Sequence, residues 1–279
     1  MSFLIKFAHQ WIAGEDMEDA IERARKANSS GSGAIINFLG EHIRDKEEAQ
    51  VNKNENLRIL EAIKDNRINS TLSIKLTQLG LGMDYDLCLS NVEEIVGQAA
   101  SDDIFVWIDM ESSTYTHDTI EIYLSILKKY KNAGIALQSN LLRSENDARR
   151  IASSGGIIRL VKGAYNENSD VAYLSRSEVT VNFSKIMGYL FYRVPFFAIA
   201  THDERLIYEA IEANKAHQKK IEFQMLLGVR EELKKELVNK GLTVVDYIPY
   251  GKKWLPYSLR RIRERKQNIL LIFRSILDI

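Results

Sequence analysis

Apolar positions along this chain gather into eight short β-type runs: Ala34 to Leu39, Thr71 to Leu76, Ile104 to Ile108, Gly134 to Leu137, Ile157 to Val161, Phe196 to Ala200, Ile221 to Met225 and Leu242 to Ile248. Charged amphipathic stretches lie between them, among them Glu47 to Lys64, Thr119 to Lys131, Ser144 to Ser153, Glu204 to Ala213 and Glu231 to Lys240. Apolar residues three and four apart in those stretches predict helices, so the chain reads as strand then helix, eight times over. Eight such units in about 250 residues predict a closed α/β barrel of the (β/α)8 TIM type. An open doubly wound sheet competes, but no Gly-x-Gly-x-x-Gly follows the first run. Residues 1–30 predict an N-terminal helical segment, from about Met1 to Lys26, broken by a hinge at Asn28-Ser29-Ser30-Gly31-Ser32-Gly33. At the other end, 266–279 predict an apolar helix, rich in Leu, Ile and Phe from Asn268 onward, packed on the outside of the barrel. The second reading of that helix is contact with a membrane surface. Residues 1–279 together read as one barrel domain.

Composition narrows the function. With 38 basic and 38 acidic side chains the chain has no net charge to draw it to nucleic acid or to an acidic membrane. At 45% hydrophobic and 27% charged it has the make-up of a globular protein with a large core. Its one cysteine, Cys88, permits no internal disulfide, has no basic neighbour in sequence and reads as a buried structural thiol. No run reaches the roughly 18 apolar residues of a membrane span, and the N-terminus lacks a signal-peptide pattern, so a cytoplasmic protein is expected. The five histidines show no metal-ligand spacing, and no Gly-x-Ser-x-Gly elbow occurs.

In a barrel of this kind chemistry sits where strands end. Polar residues at those ends are Lys75 after the second run; Asp109, Glu111 and Ser112 after the third; Gln138 and Asn140 after the fourth. Arg159 and Lys162 belong to the fifth, Thr201, His202 and Asp203 follow the sixth, Gln224 lies in the seventh, and Tyr247 and Tyr250 bracket the end of the eighth. Asp109 and Asp203 are equally readable as helix caps. Arg159 sits among four aliphatic residues and needs an anion, either a phosphate or an internal carboxylate such as Glu222. Lys75 and Lys162 would suit Schiff-base chemistry if desolvated. Beyond the last strand, Tyr257, Arg260, Arg261 and Glu264 fall at i, i+3, i+4 and i+7 behind Pro256, so two guanidiniums and a phenol share one helical face. That face suits a small carboxylate or, as a solvated basic patch, nucleic acid; zero net charge speaks against the latter.

Taken in order, Leu39-Gly40-Glu41, Ser73-Ile74-Lys75-Leu76, Trp107-Ile108-Asp109-Met110-Glu111, Ala136-Leu137-Gln138, Ile158-Arg159-Leu160-Val161-Lys162-Gly163-Ala164-Tyr165, Ala200-Thr201-His202, Phe223-Gln224-Met225-Leu226, Tyr247-Ile248-Pro249-Tyr250-Gly251 and Tyr257-x-x-Arg260-Arg261-x-x-Glu264 resemble the strand-end motifs of proline dehydrogenase. The likeness runs from about residue 33 to residue 265. It implies a distorted barrel whose last helix lies over the mouth, with FAD as cofactor, L-proline oxidised to 1-pyrroline-5-carboxylate and a quinone taking the electrons. Lys75, Arg260 and Arg261 would hold the substrate carboxylate, Asp109 would orient them, and Ala164, Leu226, Tyr247 and Tyr257 would shape the pocket. Glu41 would pair with Arg260 as a gate. Gln138, Arg159, Lys162, Gly163, Ala164, Thr201, His202 and Glu264 would bind FAD. Asn140, Asp203 and Leu227 depart from the family pattern. Hydroxyproline is the alternative substrate, and no aldehyde dehydrogenase module follows in this sequence, which implies the monofunctional form.

Overall fold

The computed structural model describes residues 10–40, 43, 45–255, 257 and 258. Eight parallel strands close into a barrel in chain order: β1 (Gly33–Phe38), β2 (Ser70–Ile74), β3 (Val106–Ile108), β4 (Ala133–Gln138), β5 (Ile157–Val161), β6 (Phe196–Ala200), β7 (Lys220–Leu226) and β8 (Val244–Tyr250). Helices α2 (Lys46–Asp65), α3 (Tyr85–Ser101), α4 (Ser113–Lys129), α5 (Ser144–Ser153), α6 (Arg176–Arg193), α7 (Glu204–His217) and α8 (Glu231–Asn239) fill the seven intervals between consecutive strands. The expected (β/α)8 architecture is therefore the observed one, and the open sheet is excluded by the β1–β8 pairing, Gly33↔Val245 through Phe38↔Tyr250.

Strand periodicity sorts the side chains into two layers. Ala34 and Ile36, Leu72 and Ile74, Ile158 and Leu160, Phe197 and Ile199 point outward and join one core with the helices. Their neighbours in sequence point inward: Ile35, Trp107, Ala198 and Val245 form a separate apolar plug low in the barrel. Above the plug the inward positions turn polar, at Ser73, Asp109, Arg159, Gln224 and Tyr247. The same period of two that builds the core thus delivers the polar set to the C-terminal mouth.

Among the described residues the first helix, α1, covers Met17–Ser29, and residues 1–9 of the expected Met1 to Lys26 segment lie outside them. It packs its buried face of Ala20, Ile21, Ala24 and Ala27 on the outside of β1 and β8. Residues 11–14 ahead of it are not helical: Ala13 donates its amide to the Pro249 carbonyl at 2.8 Å, and Trp11 and Ile12 are buried against Leu39, Val229 and Tyr257. The expected hinge at residues 28–33 is a hydrogen-bonded helix stop. Ser30 and Ser32 amides return to Lys26 and Ala27 carbonyls, Asn28 Nδ2 bonds the Ser32 and Asn69 carbonyls, and Gly31 takes φ +83°. Cys88 is buried in α3, where burial pushes its thiol up to about 12, as befits a structural role.

Among the described residues no helix is long and apolar enough to cross a membrane. Glu41, Arg260, Arg261, Glu264 and the apolar stretch 266–279 lie outside the described residues.

Candidate active site

Asp109 is the centre of the mouth. It follows β3, is 6% exposed, and receives four donors. Lys75 Nζ reaches Oδ2 at 3.0 Å, the Tyr247 hydroxyl donates to Oδ2 at 2.6 Å, Ser73 Oγ donates to Oδ1 at 2.8 Å, and an Arg159 Nη2 donates to Oδ1 as well. Burial pushes this carboxyl up, but the Lys75 and Arg159 charges and the tyrosine bond outweigh it and hold it well below the usual carboxylate range. Asp109 supplies an anion that Arg159 requires, and among the described residues Glu222 makes no direct ion pair with it. Its guanidinium lies 5.3 Å from the Trp107 ring and 5.6 Å from the Tyr247 ring, a cation held between two π faces.

Lys75 is placed by a local stop. It stands at the N-cap position of a 3-10 turn (Leu76–Leu79) that Gly80, at φ +113°, ends. Glu111 secures that turn from the next strand by accepting from the Thr77 amide at 2.9 Å and hydroxyl at 2.6 Å. Ion pairing commits the Lys75 amine to Asp109, and Lys162 is likewise tied to Asp203 at 2.6 Å and to Thr180 at 3.1 Å. Each amine thus has a carboxylate against it, which a Schiff-base nucleophile would have to leave. Asp203 serves both as this partner and as the cap of α7, accepting from the Arg205 amide at 3.1 Å.

A cavity of about 1160 Å³ opens over these groups, larger than the roughly 300–1,000 Å³ usual for one drug-sized ligand. Its wall includes Lys75, Asp109, Leu226, Tyr247 and Tyr257 together with Gln138, Asn140, Lys162, Gly163 and His202. Of the site residues expected from sequence, Lys75, Asp109, Gln138, Arg159, Lys162, Gly163, Ala164, His202, Leu226, Tyr247 and Tyr257 all line this one cavity. Thr201 is buried but is not on the wall; its hydroxyl accepts the Asp203 amide at 3.1 Å. Glu111 and Tyr250 are also off the wall, and Tyr250 instead donates to Glu55 at 2.8 Å. Ser73 and Trp107 went unsingled in the sequence, yet each lies two residues before a residue that was, Lys75 and Asp109, and so shares its inward face. Tyr173, Arg176 and Thr180 line the wall from the β5–α6 connection and α6, and no sequence period points to them.

The wall at Gln138 and Gly163 suits a hydrogen-bonding ligand. Gln138 donates its amide to the Glu111 carbonyl at 3.1 Å, which leaves the buried Oε1 with no partner among the described residues. Gly163 has φ +105°, and a Cβ there would fall 2.1 Å from Asn140 Oδ1, so the chain passes the cavity with backbone alone. His202 Nε2 accepts the Leu226 amide at 3.0 Å, which fixes its ring on the wall.

Comparison with known proteins identifies the family. A sequence model described as Proline dehydrogenase matches residues 20–269. Proline dehydrogenase 2 of Bacillus subtilis is 35% identical over 98% of this chain and 94% of the relative's own length. Proline dehydrogenase of Deinococcus radiodurans is 32% identical over 97% of this chain and 90% of its own. Among solved structures, proline utilization A from Bdellovibrio bacteriovorus, inactivated by N-propargylglycine, superimposes with a TM-score of 0.88 at 22% identity, over 93% of this chain and 32% of that longer one, a likeness of fold. Eight strands in order, the Asp109 cluster at their ends and near-full-length relatives on two sides lead to one conclusion: the chain belongs to the proline dehydrogenase family.

Proposed function

We propose that this protein oxidises L-proline to 1-pyrroline-5-carboxylate, with FAD along the Gln138–Gly163 wall of the cavity and a quinone as the onward acceptor. The observation that carries the reading is the sharing of one cavity by the Asp109 cluster and the Gln138–Gly163 wall. Lys75 faces the substrate carboxylate together with Arg260 and Arg261, which join from outside the described residues. Asp109 positions Lys75 and neutralises it until substrate enters, while Ala164, Leu226, Tyr247 and Tyr257 enclose the ring. Glu41 closes over bound substrate as the partner of Arg260.

Gln138 Oε1 and the open backbone of Gly163 fit an extended ligand with donor groups, and Lys162, Arg159, Thr201, His202 and Glu264 are the further FAD-binding residues. Bound FAD supplies the two-electron acceptor for the ring carbon next to nitrogen. The residues contribute orientation and electrostatics: they bind proline by its carboxylate, leave the ring nitrogen free to release its proton, and exclude water from the reacting edge. The single-domain organisation over 1–279 and a cytoplasmic location, peripheral at the membrane face, complete the proposal.

A visible spectrum tests it. The purified protein should carry or take up FAD, and its flavin band should bleach on anaerobic addition of proline. Protein that stays colourless with added FAD and shows no proline-dependent dye reduction would overturn the assignment.

A further inference from the structure

The barrel interior holds a second carboxylate that the proposed chemistry leaves unused. Glu222 lies on β7 two residues below Gln224, on the same inward face, and accepts a hydrogen bond from Gln224 Nε2. The other end of that amide, Oε1, accepts from Arg159 Nη1 at 3.3 Å. An amide can point either way, and here it is clamped between an anion at its NH2 and a cation at its oxygen, so each fixes it for the other. Arg159 carries the chain on to Asp109, and Asp109 to Lys75 and Tyr247. These interior groups balance, with Lys75 and Arg159 against Asp109 and Glu222.

We propose that Glu222 is a positioning residue for the reaction: through Gln224 it fixes the Arg159 guanidinium, and with it the Asp109–Lys75–Tyr247 set, from the closed end of the barrel. The fold works against this charge. Burial pushes the Glu222 carboxyl up from its ordinary value despite the opposing pull of Gln224, Arg159 and Lys220. On its flanks, β6 offers Ala198 at the paired position and β8 offers Val245 beside Gln224, and neither carries a charge. Burial works against the carboxylate, and the Gln224 amide and the Arg159 guanidinium beyond it are what tie it to the Asp109 set.

The inference rests on the proline-oxidation reading, and the Glu222→Gln variant tests it with measurements that separate the two. Removing the charge should leave the unfolding midpoint at neutral pH unchanged or higher, while kcat falls about tenfold and the KM for proline moves less than about threefold. In a Gln224→Met background the same change should cost little more, because the link is already cut. In flavin-free protein the Arg159 side-chain Nε resonance should shift in Glu222→Gln, but not when Glu222→Gln is added to Gln224→Met. A variant with wild-type kcat and an unmoved guanidinium signal, or one whose losses add fully to those of Gln224→Met, would overturn the proposal. Wild-type protein that neither takes FAD nor oxidises proline would overturn the function instead, while the guanidinium signal still reports on the relay.

Discussion

At the scale of single residues, Asp109 decides the electrostatics of the mouth. Replacing it with Asn removes the anion but keeps the shape, so Lys75 and Arg159 are left as two buried cations without their partner. Breaking a buried pair in this way costs on the order of 3–5 kcal/mol, and chemical denaturation of Asp109→Asn should show a loss of that size. Because its folded carboxyl is held below the ordinary range, the stability it contributes is present above the unfolded value of about 3.9 and fades only as pH falls through the lower folded value. The gap between wild type and variant should therefore be full at neutral pH and narrow only in strong acid. Sequence patterning made Asp109, Lys75 and Arg159 legible as strand-end residues. It left the partner of Arg159 open between phosphate and Glu222, because Asp109 lies 50 residues away and only closure of the barrel brings the two side chains together.

At the scale of elements, four of the five expected helices between strands differ little from those observed, and α4 is the instructive exception. Apolar periodicity predicts its start at Thr119, yet it begins at Ser113, through a first turn of Ser, Thr, Tyr and His residues of modest helix propensity. The missing support comes from 54 residues on: Glu167, in the connection after β5, accepts from the Ser113 amide at 2.7 Å and from its hydroxyl. A carboxylate at a helix N-terminus satisfies amides that the helix itself cannot. Such a cap is invisible to local patterning, as is its consequence, that α4 pins the loop carrying Lys162, Gly163 and Ala164 beside the cavity. Glu167→Ala should cost about 0.5–2 kcal/mol, the worth of a cap. It should also raise the KM for proline several-fold, by loosening Ala164, with kcat less affected; thermal unfolding and steady-state kinetics on one preparation check both.

At the scale of the molecule, the outer ring of the barrel is completed by α1 from the N-terminal side, packed over β8 and β1. After β8, Tyr257 lies on the cavity wall. The segments on either side of the barrel's strands meet at residues 11–15 and 254–257: Trp254 donates to Glu15 at 3.2 Å, and Trp11 and Ile12 pack with Tyr257, Leu39 and Val229. Gly228, in the turn after β7, is the point on which this arrangement rests. It has φ +69°, and a Cβ there would lie 1.7 Å from the Gln10 carbonyl oxygen, a backbone atom that cannot swing aside. Gly228→Ala must therefore bear the strain of a left-handed alanine, about 1–3 kcal/mol, or unseat the segment that crosses it. Unseating withdraws Trp11 from beside Tyr257, so the expected result is a lower unfolding midpoint, a red-shifted tryptophan emission and a higher KM for proline together. A drop in stability with emission and KM unchanged would mean that the N-terminal segment braces the barrel without shaping the substrate side of its mouth.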